Sequence, residues 1–166
     1  MKKLVFVALD AKEYKKHIVK KYPDFDIKYV SLKWKFNLIK DWIAETKKCI
    51  GNDSVDLLVG FSVGGIIALL VAKDVKPKKL EIISPSPFFN EVLKLYRKTI
   101  LNITGKKRIA EIKNLSIKDF KKYCKTTIYI GSEELEIMKQ TSDMLGKQIG
   151  CPVVVLKNKN HRNILQ

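Results

Sequence analysis

The longest uncharged stretch of this chain runs from Leu57 to Ala72 and carries glycines near its centre. Its 16 residues fall short of the roughly 20 that a membrane-spanning helix needs, so we expect no membrane span. A β-prone run, Val55 to Val59, leads into the glycines, and the helix-prone run Ile66 to Lys73 leaves them. The stretch therefore predicts a buried strand, a sharp turn and a buried helix.

The rest of the chain alternates in the same way between strand-like and helix-like segments. The β-prone runs are Leu4 to Ala8, Ile27 to Val30, Val55 to Val59, Leu80 to Ile83, Thr126 to Ile130 and Val153 to Leu156. Helical periodicity is found in Glu13 to Tyr22, Phe36 to Ile50, Ile66 to Lys73 and Leu135 to Ile149. This alternation predicts an α/β domain over residues 1–166, with about six mostly parallel strands and helices on both faces of the sheet.

One segment, Phe88 to Lys125, breaks this alternation with a long connection that has only patches of helical pattern. We expect it to form an excursion over the top of the sheet, as a small cap or insert within the single domain. Its apolar side chains Phe88, Phe89, Leu95 and Tyr96 are candidate linings of a binding pocket, with ordinary core packing as the alternative.

The net charge of +16, from 33 basic and 17 acidic residues, raises the question of a nucleic-acid partner. Only Arg97, Arg108 and Arg162 are arginines, the residue that binds bases and phosphates in a bidentate manner. The lysines are spread along the chain without a dense block or interleaved aromatic residues. We therefore expect a lysine-rich, solvated surface and no specific nucleic-acid binding, with anionic substrates or non-specific polyanion binding as the alternatives.

Cysteine usage and the first residues indicate a cytoplasmic protein. The three cysteines are far apart and form no Cys-x-x-Cys pair, which predicts neither a disulfide framework nor a metal site. The apolar run Leu4 to Leu9 is shorter than the hydrophobic region of a signal peptide. We expect neither metal nor cofactor.

The turn after the third predicted strand has the pattern Gly60-x-Ser62-x-Gly64. A chain that turns this sharply from strand to helix crowds any side chain at the flanking positions, and it lifts the serine hydroxyl above the sheet edge. The backbone N–H of Val63, at the helix N-terminus, then points to where an oxyanion would form. The pattern indicates a nucleophilic serine, and the alternatives are a glycine-rich turn that serves only tight packing or a helix face with small residues four positions apart.

A serine hydroxyl needs a base, and the sequence contains two histidines. His17 lies within the first predicted helix among lysines, which indicates a surface residue. His161 follows the last strand, in a loop that can reach Ser62 at the carboxyl edge of the sheet. We expect His161 to be the base and Ser62 the nucleophile.

A third group must orient the imidazole, and three glutamates follow the fifth strand at the same edge of the sheet. Glu134 precedes the helical periodicity of Leu135 and Met138 and is our preferred residue. Glu133 and Glu136 remain alternatives, because acidic residues also stabilise a helix N-terminus.

The order Ser62, Glu134, His161 resembles that of the α/β-hydrolase superfamily, over most of the chain. The matching motifs are Val55 to Gly65, Leu80 to Pro87, Ile128 to Glu134 and Lys159 to Asn163. The resemblance implies a minimal α/β-hydrolase fold and a serine hydrolase that cleaves a small-molecule acyl ester or thioester through an acyl-enzyme.

The sequence also departs from the family. Members often carry His-Gly after the first strand of this core, where backbone N–H groups complete the oxyanion hole, but this chain has Ala8-Leu9-Asp10-Ala11. We expect a backbone donor from Leu9 or Asp10 to act together with Val63, although the Asp10 carboxylate would oppose an oxyanion. The alternative is therefore a catalytically weak or inactive binding protein with the same fold.

Overall fold

The computed structural model describes residues 1–35 and 37–166 of the chain. Within these residues, six strands alternate with five α-helices and two short 3₁₀ helices. The strands are β1 (Lys2–Leu9), β2 (Phe25–Leu32), β3 (Leu57–Phe61), β4 (Lys79–Ile83), β5 (Lys125–Gly131) and β6 (Val153–Leu156). The α-helices are α1 (Lys15–Lys21), α2 (Ile39–Ile50), α3 (Val63–Val75), α4 (Asn90–Ile112) and α5 (Glu136–Ile149), and the 3₁₀ helices are Ala11–Tyr14 and Ile117–Asp119.

The six strands form one sheet in the order β2-β1-β3-β4-β5-β6. Every neighbouring pair is parallel, so the predicted parallel α/β architecture is confirmed. β3 lies inside the sheet and all five of its residues are buried, as expected for a strand covered on both faces. Because all strands run in one direction, the segments that follow them meet at a single edge of the sheet.

Alternate residues of each strand contribute to two hydrophobic clusters on opposite faces. In the first strand, Val5 and Val7 belong to the cluster that α2, α3, α4 and α5 cover. Leu4, Phe6 and Ala8 point to the other face, which is covered by α1 and the C-terminal residues Ile164 and Leu165. The predicted placement of helices on both faces is therefore confirmed.

The uncharged stretch that leads into α3 folds as the sequence predicts. The residues of α3 from Val63 to Leu69 are all buried, between the sheet and α2. The helix has 13 residues. In the described part of the chain, no helix combines the length and the apolar character that crossing a bilayer requires.

Several element boundaries differ from the prediction. The first predicted helix is a 3₁₀ turn followed by the short α1, and α2 begins at Ile39; Phe36, where that helix was expected to start, lies outside the described residues. The long connection contains the 23-residue α4, interrupted by non-helical backbone at Tyr96 and Gly105. Because these breaks interrupt its periodicity, the sequence pattern resolves only patches of helix.

The side chain of Arg108 attaches α4 to the segment between β2 and α2. Its guanidinium lies 3.9 Å from the ring centroid of Trp34 and donates hydrogen bonds to the carbonyl oxygens of Trp34, Asn37 and Thr104. Nearby, the Glu111 carboxylate accepts hydrogen bonds from the first two N–H groups of α2 at 2.8 and 3.1 Å. These contacts fix the position of the excursion and, with it, of Ile103 in the same helix.

We expect Arg108→Lys to lower the free energy of unfolding by about 2 kcal/mol, because an ammonium cannot stack on Trp34 while donating to three separate carbonyls. Urea denaturation followed by circular dichroism measures this change. Lys107→Arg, at the neighbouring exposed position, is the control and should stay within about 0.5 kcal/mol of the parent protein. Equal stability of the Arg108→Lys variant and the parent would contradict this role of Arg108.

Candidate active site

Ser62 lies at the apex of a sharp turn between β3 and α3. Its backbone has φ of 56° and ψ of −120°, a conformation that non-glycine residues rarely adopt. Its N–H donates to the Ile83 carbonyl at 3.0 Å, and its carbonyl accepts from the N–H of Gly65 at 3.0 Å and from that of Ser86 at 3.2 Å. The end of β4 and the first turn of α3 thus hold Ser62 in a strained conformation.

The two glycines of the motif permit this turn because the backbone approaches them closely. A Cβ atom at Gly60 would lie 2.4 Å from the Gly64 carbonyl oxygen, and one at Gly64 would lie 1.9 Å from the carbonyl oxygen of Val7 in β1. Neither neighbour is a flexible side chain, so neither contact can be relieved by a rotamer change. The glycines therefore set how closely β1, the turn and α3 pack.

His161 reaches Ser62 from the loop after β6. Its Nε2 atom lies 3.0 Å from Ser62 Oγ, within hydrogen-bond distance. One face of the imidazole stacks on the ring of Phe61, with centroids 4.9 Å apart and an angle of 28° between the planes. The side chain remains 40% exposed, so solvent has access to the ring.

Glu134 lies in the turn between β5 and α5, on the far side of the imidazole from Ser62. Its Oε1 atom is 3.3 Å from His161 Nδ1, and its side chain is only 1% exposed. The turn is held by a hydrogen bond from the Glu134 N–H to the Gly131 carbonyl at 3.2 Å. Since a carboxylate only accepts, this contact favours the tautomer with the proton on Nδ1, which leaves Nε2 free to accept from Ser62.

The alternative residues lie elsewhere. The Glu133 side chain is exposed, while its N–H donates to the Lys159 carbonyl at 2.9 Å. Glu136 is exposed in the first turn of α5, where it pairs with Lys139 at 3.2 Å. His17 lines a different cavity, together with Lys20 and Lys21. Of the candidate acids and bases, the structure brings Glu134 and His161 to Ser62 and leaves the other three apart.

The predicted oxyanion donors lie where β1 ends beside the start of α3. Val63 is the first residue of α3, and an N–H at that position has no acceptor within its own helix. Leu9 ends β1, and Asp10 follows it with φ of 47°. The Asp10 N–H donates to the Leu32 carbonyl at 3.3 Å, so this donor is already engaged.

A cavity of about 250 Å³ opens directly beside Ser62 and His161. Its walls are mainly apolar and come from three segments of the chain: Pro87 and Phe88 after β4, Ile103 of α4, and Leu135 and Met138 around the start of α5. Ile103 and Leu135 are 47% and 68% exposed, so part of the apolar lining of this cavity faces solvent. The cavity can therefore accept an apolar group next to the serine.

Only one of the four pocket residues named from the sequence, Phe88, lines this cavity. Phe89 instead packs edge-on against Phe120 in the core, with centroids 5.6 Å apart. Leu95 is exposed away from the cavity, and the Tyr96 hydroxyl donates to Gln140 Oε1 at 2.9 Å. The alternative of ordinary core packing is thus correct for Phe89.

Three contacts in the site were not anticipated from the sequence. Phe61 packs on His161, the Ser84 hydroxyl donates to Glu134 Oε1 at 2.5 Å, and the Ser86 hydroxyl lies 3.3 Å from Ser62 Oγ. Ser84 and Ser86 belong to the Ser-Pro-Ser-Pro segment that follows β4. Because this segment directly follows an inner strand of a parallel sheet, the sequence could have predicted that it lies at the same sheet edge as the other site residues.

Comparison with known proteins finds similarity in structure rather than in sequence. No family model and no curated protein matches the chain. Among solved structures, Est1E from Butyrivibrio proteoclasticus matches with a TM-score of 0.75 at 12% identity, over 96% of this chain and 80% of that one. A putative thioesterase from Silicibacter sp. TM1040 matches with a TM-score of 0.75 at 18% identity, over 98% and 69% of the two chains.

A third match names the fold. MGS-MChE2, an α/β hydrolase enzyme from a metagenome of lagoon sediments of Mar Chica, Morocco, matches with a TM-score of 0.67 at 14% identity. The alignment covers 99% of this chain and 84% of that one. The chain therefore has the α/β-hydrolase fold, as the order of its motifs predicts.

We expect Gly64→Ala to lower the free energy of unfolding by at least about 3 kcal/mol, because the new methyl group would overlap the Val7 carbonyl. Gly150→Ala is a matched control: Gly150 has φ of 68°, but a Cβ there would meet no atom within 4 Å. The control should lose only the about 1–2 kcal/mol of the left-handed conformation. Urea denaturation of both variants tests this difference, and equal losses would contradict the close approach of β1 and α3.

Proposed function

We propose that this protein is a serine hydrolase that cleaves carboxylic esters or thioesters through an acyl-enzyme. The observation that carries the proposal is the continuous contact from Ser62 Oγ to His161 Nε2, at 3.0 Å, and from His161 Nδ1 to Glu134 Oε1, at 3.3 Å. This is the geometry in which a base takes the proton of a nucleophile while a buried carboxylate orients the base. The strained backbone of Ser62, at a helix N-terminus beside an apolar cavity, supports the same function.

In the first half of the reaction, Ser62 Oγ attacks the acyl carbonyl carbon and His161 Nε2 takes the hydroxyl proton. The resulting imidazolium is stabilised by Glu134, which keeps the proton on Nδ1. When the tetrahedral intermediate collapses, the bond to the leaving group breaks. His161 then returns the proton from Nε2 to the leaving alcohol or thiol, and the acyl group remains on Ser62.

In the second half, a water molecule attacks the acyl-enzyme carbonyl. His161 Nε2 takes a proton from the water and then gives it to Ser62 Oγ as the acid leaves. The imidazole is 40% exposed, so water can approach the ring from solvent. The residues return to their starting protonation, and no cofactor takes part in either half.

The oxyanion formed in both halves would accept a hydrogen bond from the Val63 N–H and from a donor near Leu9 and Asp10. The second donor is the weaker part of the arrangement, because the Asp10 N–H already donates to Leu32. This observation favours the second candidate function, a binding protein with the same fold and little catalysis. Acyl transfer to an alcohol or thiol would use the same residues as hydrolysis.

The cavity beside Ser62 supports an apolar acyl group as the part of the substrate that binds there. Five apolar residues line this cavity next to the nucleophile. Burial of each methylene group of a substrate against them would stabilise the complex by about 0.8 kcal/mol. We therefore propose that esters with a chain of several carbons are better substrates than acetyl esters.

The first experiment is labelling with a fluorophosphonate probe, in which Ser62 Oγ forms a bond to phosphorus and fluoride leaves. We expect one probe per chain, located at Ser62 by peptide mass spectrometry. Ser62→Ala should abolish labelling, and His161→Ala should slow it by about 10³-fold because the hydroxyl then has no base.

Two controls make this test decisive. His17→Ala removes the other histidine of the chain and should label at the parent rate. Circular dichroism must show that each variant is folded. A folded parent protein that is not labelled would overturn the hydrolase proposal and favour the binding protein.

A pair of leucine variants tests the acyl-binding cavity. Leu135 lines the cavity and is 68% exposed, whereas Leu95 is 66% exposed and lies outside it. We expect Leu135→Asp to lower kcat/KM for an octanoyl ester by about tenfold and for an acetyl ester by less than twofold, because a carboxylate is a poor neighbour for a long apolar chain. Leu95→Asp is the matched control and should change neither rate. Equal effects of Leu135→Asp on both esters would exclude this cavity as the acyl-binding site.

A further inference from the structure

The segment that follows β4, residues 84–87, is buried along its whole length although two of its four residues are serines. Ser84 is fully buried and Ser86 is 5% exposed. A buried hydroxyl requires a hydrogen-bond partner, and both hydroxyls find theirs in the candidate active site. Ser84 is bound to Glu134, and Ser86 lies against Ser62.

The backbone of Ser84 is held in an uncommon conformation. Its φ is 45°, in the left-handed region that serine seldom adopts. Its N–H donates to the carbonyl of Tyr129 in β5 at 2.8 Å, and Pro85 restricts the chain on the other side. Such conformations are energetically unfavourable for a residue with a side chain and often occur where function depends on them.

The Ser84 hydroxyl must be the donor in its 2.5 Å contact, because the Glu134 carboxylate can only accept. The atom that accepts is Oε1, the same oxygen that faces His161 Nδ1 at 3.3 Å. Among the described residues, these two side chains are the ones that hydrogen-bond to this carboxylate. With the Glu134 side chain 1% exposed, bulk water cannot replace a missing donor.

We propose that Ser84 is a positioning residue for the reaction: its hydroxyl holds the Glu134 carboxylate in the orientation that supports His161. The inference rests on the proposed function and adds a fourth member to the Ser62–His161–Glu134 arrangement. Ser84 acts through Glu134 and does not contact the reacting atoms. A side chain with this role affects turnover rather than substrate binding.

The test compares Ser84→Ala, Ser84→Gly and the parent protein in the rate of fluorophosphonate labelling and in kcat and KM for an ester that the parent hydrolyses. We expect both variants to lose about tenfold in labelling rate and in kcat, the size of one hydrogen bond to a charged group, with KM within twofold. Ser84→Gly relieves the left-handed backbone and should be the more stable of the two. If Ser84→Ala and Ser84→Gly differ in stability but lose the same activity, the loss comes from the missing hydroxyl and not from destabilisation of the fold.

A second background shows whether Ser84 acts through Glu134. In a Glu134→Ala variant, the additional change Ser84→Ala should slow labelling by less than twofold, because the side chain that Ser84 orients is then absent. Ser142→Ala is the control for loss of a buried hydroxyl: Ser142 is fully buried and donates to the Met138 carbonyl at 3.0 Å. It should label at the parent rate.

The possible outcomes separate the two proposals. If the parent is labelled and Ser84→Ala is labelled equally fast, the role of Ser84 is overturned and the hydrolase proposal stands. A tenfold loss that persists in the Glu134→Ala background also overturns the role of Ser84, as does a loss of activity that is larger in the less stable of the two Ser84 variants. If the folded parent is not labelled at all, the hydrolase proposal fails and the role of Ser84 fails with it.

Discussion

The close approach of Gly64 to the carbonyl of Val7 is the constraint on which the rest of the structure depends. It brings the first turn of α3 against the end of β1, with no room for even a methyl group between them. The strain at Ser62 is maintained because both sides of the turn are fixed, by β1 on one side and by the end of β4 on the other. A looser contact would let the turn relax, and the serine hydroxyl would no longer face His161.

The parallel sheet brings the residues of the candidate site together through short segments that follow neighbouring strands. Ser62, Ser84, Glu134 and His161 follow β3, β4, β5 and β6 respectively, and these strands are consecutive in the sheet. Each residue sits in a segment that only has to leave its strand in the correct direction. Residues 99 positions apart in the chain therefore come within 3.0 Å of each other without a long structured loop.

Much of this arrangement follows from the sequence because its signals are local. The strand Val153–Leu156 occurs as predicted, and the glycine spacing around Ser62 identifies the turn. β2 is longer than predicted at both ends, because the polar residues Asp26 and Ser31 interrupt the apolar pattern of this edge strand. Glu134 could not be separated from Glu133 and Glu136 with certainty, since the direction of each carboxylate depends on one turn and on a loop 27 residues away.

Most of the apolar residues that line the cavity, and the contacts of Ser84, could not be predicted from the sequence. Ile103 reaches the cavity because Arg108 and Glu111 attach α4 to the α2 side of the molecule, and no local pattern predicts that attachment. Ser84 has an ordinary turn sequence around it. Its role depends on a left-handed φ and on a partner in a neighbouring turn, and both are properties of the folded chain.

The open position of the imidazole affects the choice between water and other nucleophiles. The His161 side chain is 40% exposed, so water can approach the imidazole, and the cavity beside Ser62 is lined mainly by apolar side chains. An enzyme that transfers acyl groups to alcohols must keep water away from its acyl-enzyme long enough for the alcohol to bind. In the proposed reaction, solvent would reach the imidazole of His161 directly, so an acyl group attached to Ser62 would have a short lifetime in water.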